Sequence, residues 1–290
     1  MKSDVVLRFV DPDGVEREIG YNEDWRFQKN SGLSGFSDFD GDLSFSDNYF
    51  RDGGQTENVR LSGKTRTIKI AYVYPSQNEE ERQRFMSYFR YNTKYKIYAT
   101  YMGKTRWATG RLYKGSLSED TETDLLMKAT LTFQFDSPYW LSTDDFGKNI
   151  ASVVAGAGFP WLCPVNYGCA IGVFSYSHEV ELTNNGDADA YPLIRIKATD
   201  SVTNPVVQVN SGFVRYVGTM AQNDELVMNF NDIPATIKLN GTNVIGRCDR
   251  TSTFDQMNIK KGSNMISYDA DNGSDNMEVY VSFNKQYTMI

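Results

Sequence analysis

The clearest alternation of apolar and polar positions lies at residues 129–135, "ATLTFQF", where Ala129, Leu131, Phe133 and Phe135 fall on one side. That period of two marks a half-buried strand. The chain then turns at Asp136-Ser137-Pro138 and delivers Tyr139 and Trp140 where a loop should be polar. A second strand reads from "RTIKIAYVY", with Ile68, Ile70, Tyr72 and Tyr74 on one face and Pro75 as its stop. The stretch after it, "SQNEEERQRFMSYFRYN", is the one strong helical pattern. Ser76 or Asn78 can cap it, the glutamates at 79–81 suit the positive end of the helix, and Phe85, Tyr88 and Phe89 share a face. The pattern predicts a helix over about 78–92.

Hairpins read from "VVLRFVDPDGVERE", closed by Asp11-Pro12-Asp13-Gly14, and from "KYKIYATYMGKTRWATGRLY", turning near Met102-Gly103-Lys104. Between them lies a polar, glycine-dotted stretch from 30 to 58. It holds Leu33, Phe36, Phe39, Leu43, Phe45, Tyr49 and Phe50 without steady period, which predicts a long arm with short strands. Apolar residues spaced along such an arm need a partner surface, and a neighbouring subunit is one candidate. From about 142 to 178 the patterning lapses, and "IASVVAGAGFPWLCPV" reads as linker. Beyond it every pattern is β, including "PLIRIKA", "NPVVQVN", "DELVMNF" and "ATIKLNGTNVI", the last with the hairpin pair Asn240-Gly241. The expected fold is mostly β: an N-terminal β-domain with one packed helix over 1–145, a linker over 146–177, and a β-sandwich over 178–290.

Composition sharpens the function classes. The 290 residues carry a formal net charge of −7, which disfavours binding to phosphate backbones, though an acidic channel would let a polyanion slide through. The aromatic share of 13% suits strands and subunit interfaces. The charged start "MKSDVVLRF" argues against an export signal, and no window reaches the about 18–20 apolar residues of a membrane helix. Cys163, Cys169 and Cys248 read as free thiols, since the Cys-x5-Cys spacing with the single His178 matches no common zinc knuckle. The acid clusters Asp38-Asp40-Asp42 and Asp269-Asp271-Asp275 miss the glycine and glutamate positions of a calcium loop and read as turns. One histidine and no G-x-S-x-G, P-loop or H-E-x-x-H pattern make an enzyme the poorer expectation, and no cofactor or metal is expected. A carbohydrate-binding β-sandwich is the alternative, because exposed rings can stack on sugars.

The run Phe133, Phe135, Asp136, Ser137, Pro138, Tyr139, Trp140 resembles the signature that closes the N-terminal domain of phage distal tail (Dit) proteins. "GLSGF" at 32–36, the "KTRTIKI" strand with Arg66, "NNGDADAYPLIRI" at 184–196, "LNGTNVI" and "KKGSNMISY" agree with that family in order. The resemblance implies a virion structural protein of the siphophage tail tip, made in the host bacterial cytoplasm, with a galectin-like C-terminal sandwich. Its N-terminal domains would close a homohexameric ring joining the tail tube protein to the tail-associated lysin or hub protein. Such a ring would anchor the host-adsorption apparatus, including in some phages a receptor-binding protein, while the genome passes through its channel unbound. Phe135, Pro138, Tyr139 and Trp140 are then family-motif structural residues. The Tyr139-Trp140 pair either plugs the junction between domains or packs into its own domain's core. Leu33, Phe36 and Phe39 on the arm are candidate ring contacts, so Phe36→Ala is expected to weaken assembly and spare the monomer.

Overall fold

A computed structural model describes residues 5–29, 32–38, 41–47, 52–61, 63–74, 78–118, 127–143, 146–149, 152–156 and 173–290. The chain divides into two units, Met1–Thr143 with Gln286–Ile290, and Asp144–Lys285. The first begins with β1 (Val6–Val10), β2 (Glu16–Ile19), β3 (Trp25–Phe27), β4 (Leu33–Ser34), β5 (Gly41–Asp47), β6 (Gly54–Leu61) and β7 (Thr65–Tyr72). Helix α1 (Asn78–Tyr88) follows, then β8 (Lys94–Tyr101), β9 (Lys104–Leu117), β10 (Lys128–Phe135) and β11 (Trp140–Ser142). The second unit opens with β12 (Phe146–Asn149), β13 (Ser152–Gly156), β14 (Val173–Ser177), β15 (Glu179–Asn184), β16 (Leu193–Ala198), β17 (Val202–Thr203) and β18 (Val206–Val209). It continues with β19 (Gly212–Arg215), β20 (Thr219–Met220), β21 (Glu225–Asn229), β22 (Thr236–Leu239), β23 (Thr242–Asn243), β24 (Gly262–Asp269) and β25 (Met277–Phe283). The closing strand β26 (Gln286–Tyr287) belongs again to the first unit, where it pairs with β11.

The first unit is built on an antiparallel sheet in the order β2-β1-β8-β9-β10-β7-β3, with β11 beside β9 and β4 beside β7, while β5 and β6 pair only with each other. Its tight turns follow from local chemistry. Asp11 Oδ1 accepts the amides of Asp13 (2.9 Å) and Val15 (2.8 Å), and Met102-Gly103 adopts positive φ at both positions (49° and 75°) to join β8 to β9. Helix α1 covers the sheet with the predicted face: Phe85 lies 4.3 Å from the Trp25 ring and Phe89 meets Phe9 edge-on at 5.5 Å. The Tyr88 hydroxyl donates to the Phe9 carbonyl at 2.8 Å. Glu81, in the first turn, is buried and accepts from the Trp25 indole (2.9 Å) and from Arg17.

The helix stops at Tyr88, short of the expected 92. The Arg90 amide instead reaches the Tyr95 hydroxyl (3.0 Å), and Asn92 turns left-handed (φ 62°) so that its amide meets the Leu112 carbonyl (2.8 Å). Strand β7 likewise ends at Tyr72, leaving Tyr74 exposed beyond the buried phase.

The second unit is a β-sandwich. A six-stranded sheet, β12-β25-β16-β21-β22-β23, and a four-stranded sheet, β15-β24-β18-β19, bury between them a core that includes Ile194, Ile196, Val207, Tyr216, Met228, Ile266 and Val281. The span expected as a linker, 146–177, is not bare of structure. β12 pairs with β25 along Phe146–Asn149, and β13 pairs with β14. The partner of β12 lies far along the chain, so no local pattern announces it. Limited proteolysis is expected to cut first between 143 and 178 or within 41–61, leaving 128–135 intact because β10 is paired on both sides. Initial cleavage within 128–135, read by mass spectrometry, would contradict the two-unit organisation.

Candidate functional site

Strand β7 carries Arg66, Ile68, Ile70 and Tyr72 in its buried phase, so one arginine enters the core with three apolar neighbours. Arg66 is fully buried, and its guanidinium lies between two rings, 4.0 Å from the centre of Phe135 and 4.3 Å from that of Trp140. Its Nε donates to the Gly35 carbonyl and its Nη2 to the Pro138 carbonyl, both at 3.1 Å. Burial pulls the guanidinium down to about 10, with Asp38 opposing, and it stays charged at neutral pH. Three separate stretches of the chain thus meet on one cation: Gly35 with Phe36, Arg66, and the run from Phe135 to Trp140.

The local sequence explains each position. Phe135 closes the buried phase of β10, and Gly110 opposite has room for it, since a Cβ there would come within 3.0 Å of the ring. β10 ends at Phe135, and in the bend that follows the Pro138 carbonyl accepts from Arg66. Trp140 then opens β11, is fully buried, and packs 5.9 Å from Phe135 and 5.8 Å from Phe36. Tyr139, in the bend just before β11, is half-buried. Of the two readings of the pair, Trp140 fits the one in which it fills its own unit's core.

The candidate contacts on the arm separate in the same way. Phe36 is only 2% exposed and lies against Trp140, because the left-handed turn at Gly35 (φ +85°) folds it inward. Its side chain is therefore core, and Phe36→Ala is expected to weaken the monomer itself, which corrects the expectation that it would be spared. Leu33 is half-buried beside β7 and packs on the same core, and Phe39 lies outside the described residues. The exposed apolar residues of the arm are Leu43 (68%) and Phe45 (62%) on β5. β5 and β6 form a two-stranded ribbon of their own, apart from the large sheet, and all seven residues of β5 are exposed. Met102, at the tip of the β8–β9 hairpin, is 72% exposed.

Buried asparagines are what sequence reading passed over in the second unit. Asn184 donates to the carbonyls of Ala188 (3.0 Å) and Ile259 (3.1 Å), and its Oδ1 accepts the Gly186 amide (2.9 Å). Asn264 accepts from the Lys260 amide (2.7 Å) and from Asn210 (2.8 Å). Both lie in the stretches "NNGDADAYPLIRI" and "KKGSNMISY", where they pin loops.

Asp38, Asp271 and Asp275 of the acid clusters are engaged by neighbouring side chains. Hydrogen bonds from Asn204 and Arg215 hold the Asp271 carboxyl below its usual range, and Asp38 pairs with Lys64 at 2.9 Å. His178 meets Asp275 at 3.0 Å. Burial pushes the Cys248 thiol up to about 11, unlike a reactive cysteine. Cys163, Cys169 and Asp40 lie outside the described residues. Among the described residues no three metal-ligating side chains gather, and no helix is long and apolar enough to cross a membrane.

No curated protein matches the chain. Residues 185–287 match the family model described as siphovirus-type tail component, C-terminal domain. The crystal structure of SPP1 Dit, described as a paradigm of the hub adsorption apparatus in phages infecting Gram-positive hosts, is similar at a TM-score of 0.66 and 14% identity. The alignment covers 97% of this chain and 98% of that one. A chain of the phage P2 baseplate, activated with Ca, is similar over 100% of both chains at a TM-score of 0.52 and 11% identity. Its counterpart with Sr gives 0.53, 11% and 99% of both. At these identities the two solved relatives show a shared fold, while the family model speaks for the second unit. The second unit thus carries a match to the siphovirus-type tail component domain over residues 185–287, and the chain as a whole shares the fold of SPP1 Dit.

Proposed function

We propose that this chain forms a hexameric ring at the tail tip, joining the tail tube to the tail-associated or hub protein and anchoring the host-adsorption apparatus. The observation that carries this reading is the β5–β6 ribbon. An isolated two-stranded hairpin is marginal in water, and this one presents Leu43 and Phe45 to solvent. It needs a partner surface, and repeated identical head-to-tail contacts around an axis supply one and close a ring. The number six, the tube and hub as partners, and the unbound passage of the genome follow from the family relationship. A channel lined by polar or acidic groups would repel the genome's phosphates. No described feature favours the carbohydrate-binding alternative.

Negative-stain images of the purified protein, and of tails containing it, test the ring. Leu43→Asp with Phe45→Asp is expected to abolish rings while circular dichroism and melting temperature stay unchanged. A well-buried aromatic contact contributes about 2 kcal/mol, so each interface should weaken roughly 30-fold or more. A wild-type protein that is monomeric both alone and within intact tails would defeat the proposal.

A further inference from the structure

Strand β9 outruns its neighbour. β8 pairs with it over Lys104–Arg111, and backbone bonds from the Asn92 amide (2.8 Å) and to the Thr93 carbonyl (3.0 Å) extend that side only to Leu112. From Tyr113 to Leu117, β9 has β10 on one side and no described strand on the other. The Ser118 amide donates to the Lys128 carbonyl at 2.8 Å. Antiparallel alternation from that pair turns the N–H and C=O of Gly115 and Leu117 toward the open side. Beside this edge lies a groove of about 370 Å³ between α1 and β9, lined by Phe85, Phe89, Leu112 and Leu131 together with Arg82 and Lys114. Neither of these two cations takes part in an ion pair among the described residues.

The β5–β6 ribbon carries the complement. Leu43 and Phe45 stand two residues apart on one face of β5, between Asp42 and Asp47, which also lack ion pairs among the described residues. The outer side of β5 has no described strand partner either.

We propose that β5 of one copy adds as an extra strand to the Gly115–Leu117 edge of β9 in the next copy. Leu43 and Phe45 enter the groove, and Asp42 and Asp47 face Arg82 and Lys114. Backbone pairing supplies the affinity and the two apolar side chains the register, as in other strand additions. Donor and acceptor surfaces differ, so the contact is head-to-tail and propagates around a ring. This rests on the ring reading and names the two faces that meet.

Gly115 offers the test, with ring assembly scored by negative stain on the purified protein or in tails built with each variant. Gly115→Pro removes the outward N–H and spares the β10 ladder, so rings should be lost. Gly115→Ala keeps that N–H, and its Cβ meets only Leu131 Cδ2 at 3.6 Å, so rings should persist. A charge exchange provides an independent arm. Arg82→Glu with Lys114→Glu, and Asp42→Lys with Asp47→Lys, should each weaken assembly about tenfold, and all four together should restore it. If Phe45→Asp abolishes rings while Gly115→Pro and the charge reversals leave them intact, the acceptor face lies elsewhere and the ring reading survives. If reversing Arg82 and Lys114 matters but reversing Asp42 and Asp47 does not, a different acidic segment, such as this chain's own 119–126, takes the groove and the proposal fails. Absence of rings in the wild type, alone and in tails, would overturn both.

Discussion

Trp140→Ala is expected to destabilise the first unit by about 3–5 kcal/mol, the cost of deleting a large, fully buried ring. The indole touches Phe36, Phe135 and the Arg66 guanidinium at once, so no single neighbour can move to fill the space. In a unit of this size the melting temperature should fall by roughly 10 °C. Tyr139→Ala, one residue away and half-buried, should cost only about 1 kcal/mol. Thermal denaturation followed by circular dichroism compares the two. Equal losses would mean that Trp140 is not the wedge that closes this core.

Arg66→Met is expected to cost about 2–4 kcal/mol, although it fills similar volume with apolar atoms. The Gly35 and Pro138 carbonyls lose their donor, at about 1–3 kcal/mol each, and the attraction of a cation held between two rings is lost. Opposing this, no carboxylate among the described residues forms an ion pair with the buried cation, and Asp38 acts on it only at longer range, so removing the cation relieves desolvation. The two orphaned carbonyls decide the sign. A neutral or more stable Arg66→Met variant, by urea denaturation, would show that desolvation wins instead. The same comparison has a pH signature. Burial holds the folded guanidinium at about 10, below the value of a free arginine, so between the two values the unfolded chain binds the proton more tightly. This group's contribution to stability therefore rises with pH across that window, and the rise should vanish in Arg66→Met.

Much of the local structure is legible because it depends on neighbouring residues. The turns at Asp11–Gly14, Met102-Gly103 and Asn240-Gly241 need particular side chains or positive φ, and the sequence places those residues where the backbone requires them. The strand patterns around Ile68, Leu131, Ile194 and Ile266 survive as buried faces because alternation records which side meets a core. Even Arg66 was visible in principle, since it occupies the buried phase of its own strand.

The arm shows where such reading stops. Leu33, Phe36, Leu43 and Phe45 look alike in an aperiodic stretch. Only the turn at Gly35 and the ring of Trp140 take Phe36 inward, leaving Leu43 and Phe45 exposed.

By itself, then, the sequence determined the β character of both halves, the amphipathic helix α1 and the tight turns. Each is written in short-range spacing. Tertiary structure alone decided that β24 and β25, neighbours across one turn, join opposite sheets of the sandwich, and that β12 pairs with β25 within the supposed linker. It also decided that stretches some 30 and 70 residues from Arg66 converge on its guanidinium. Those outcomes depend on which distant surfaces exclude water together, a long-range property that no local period encodes.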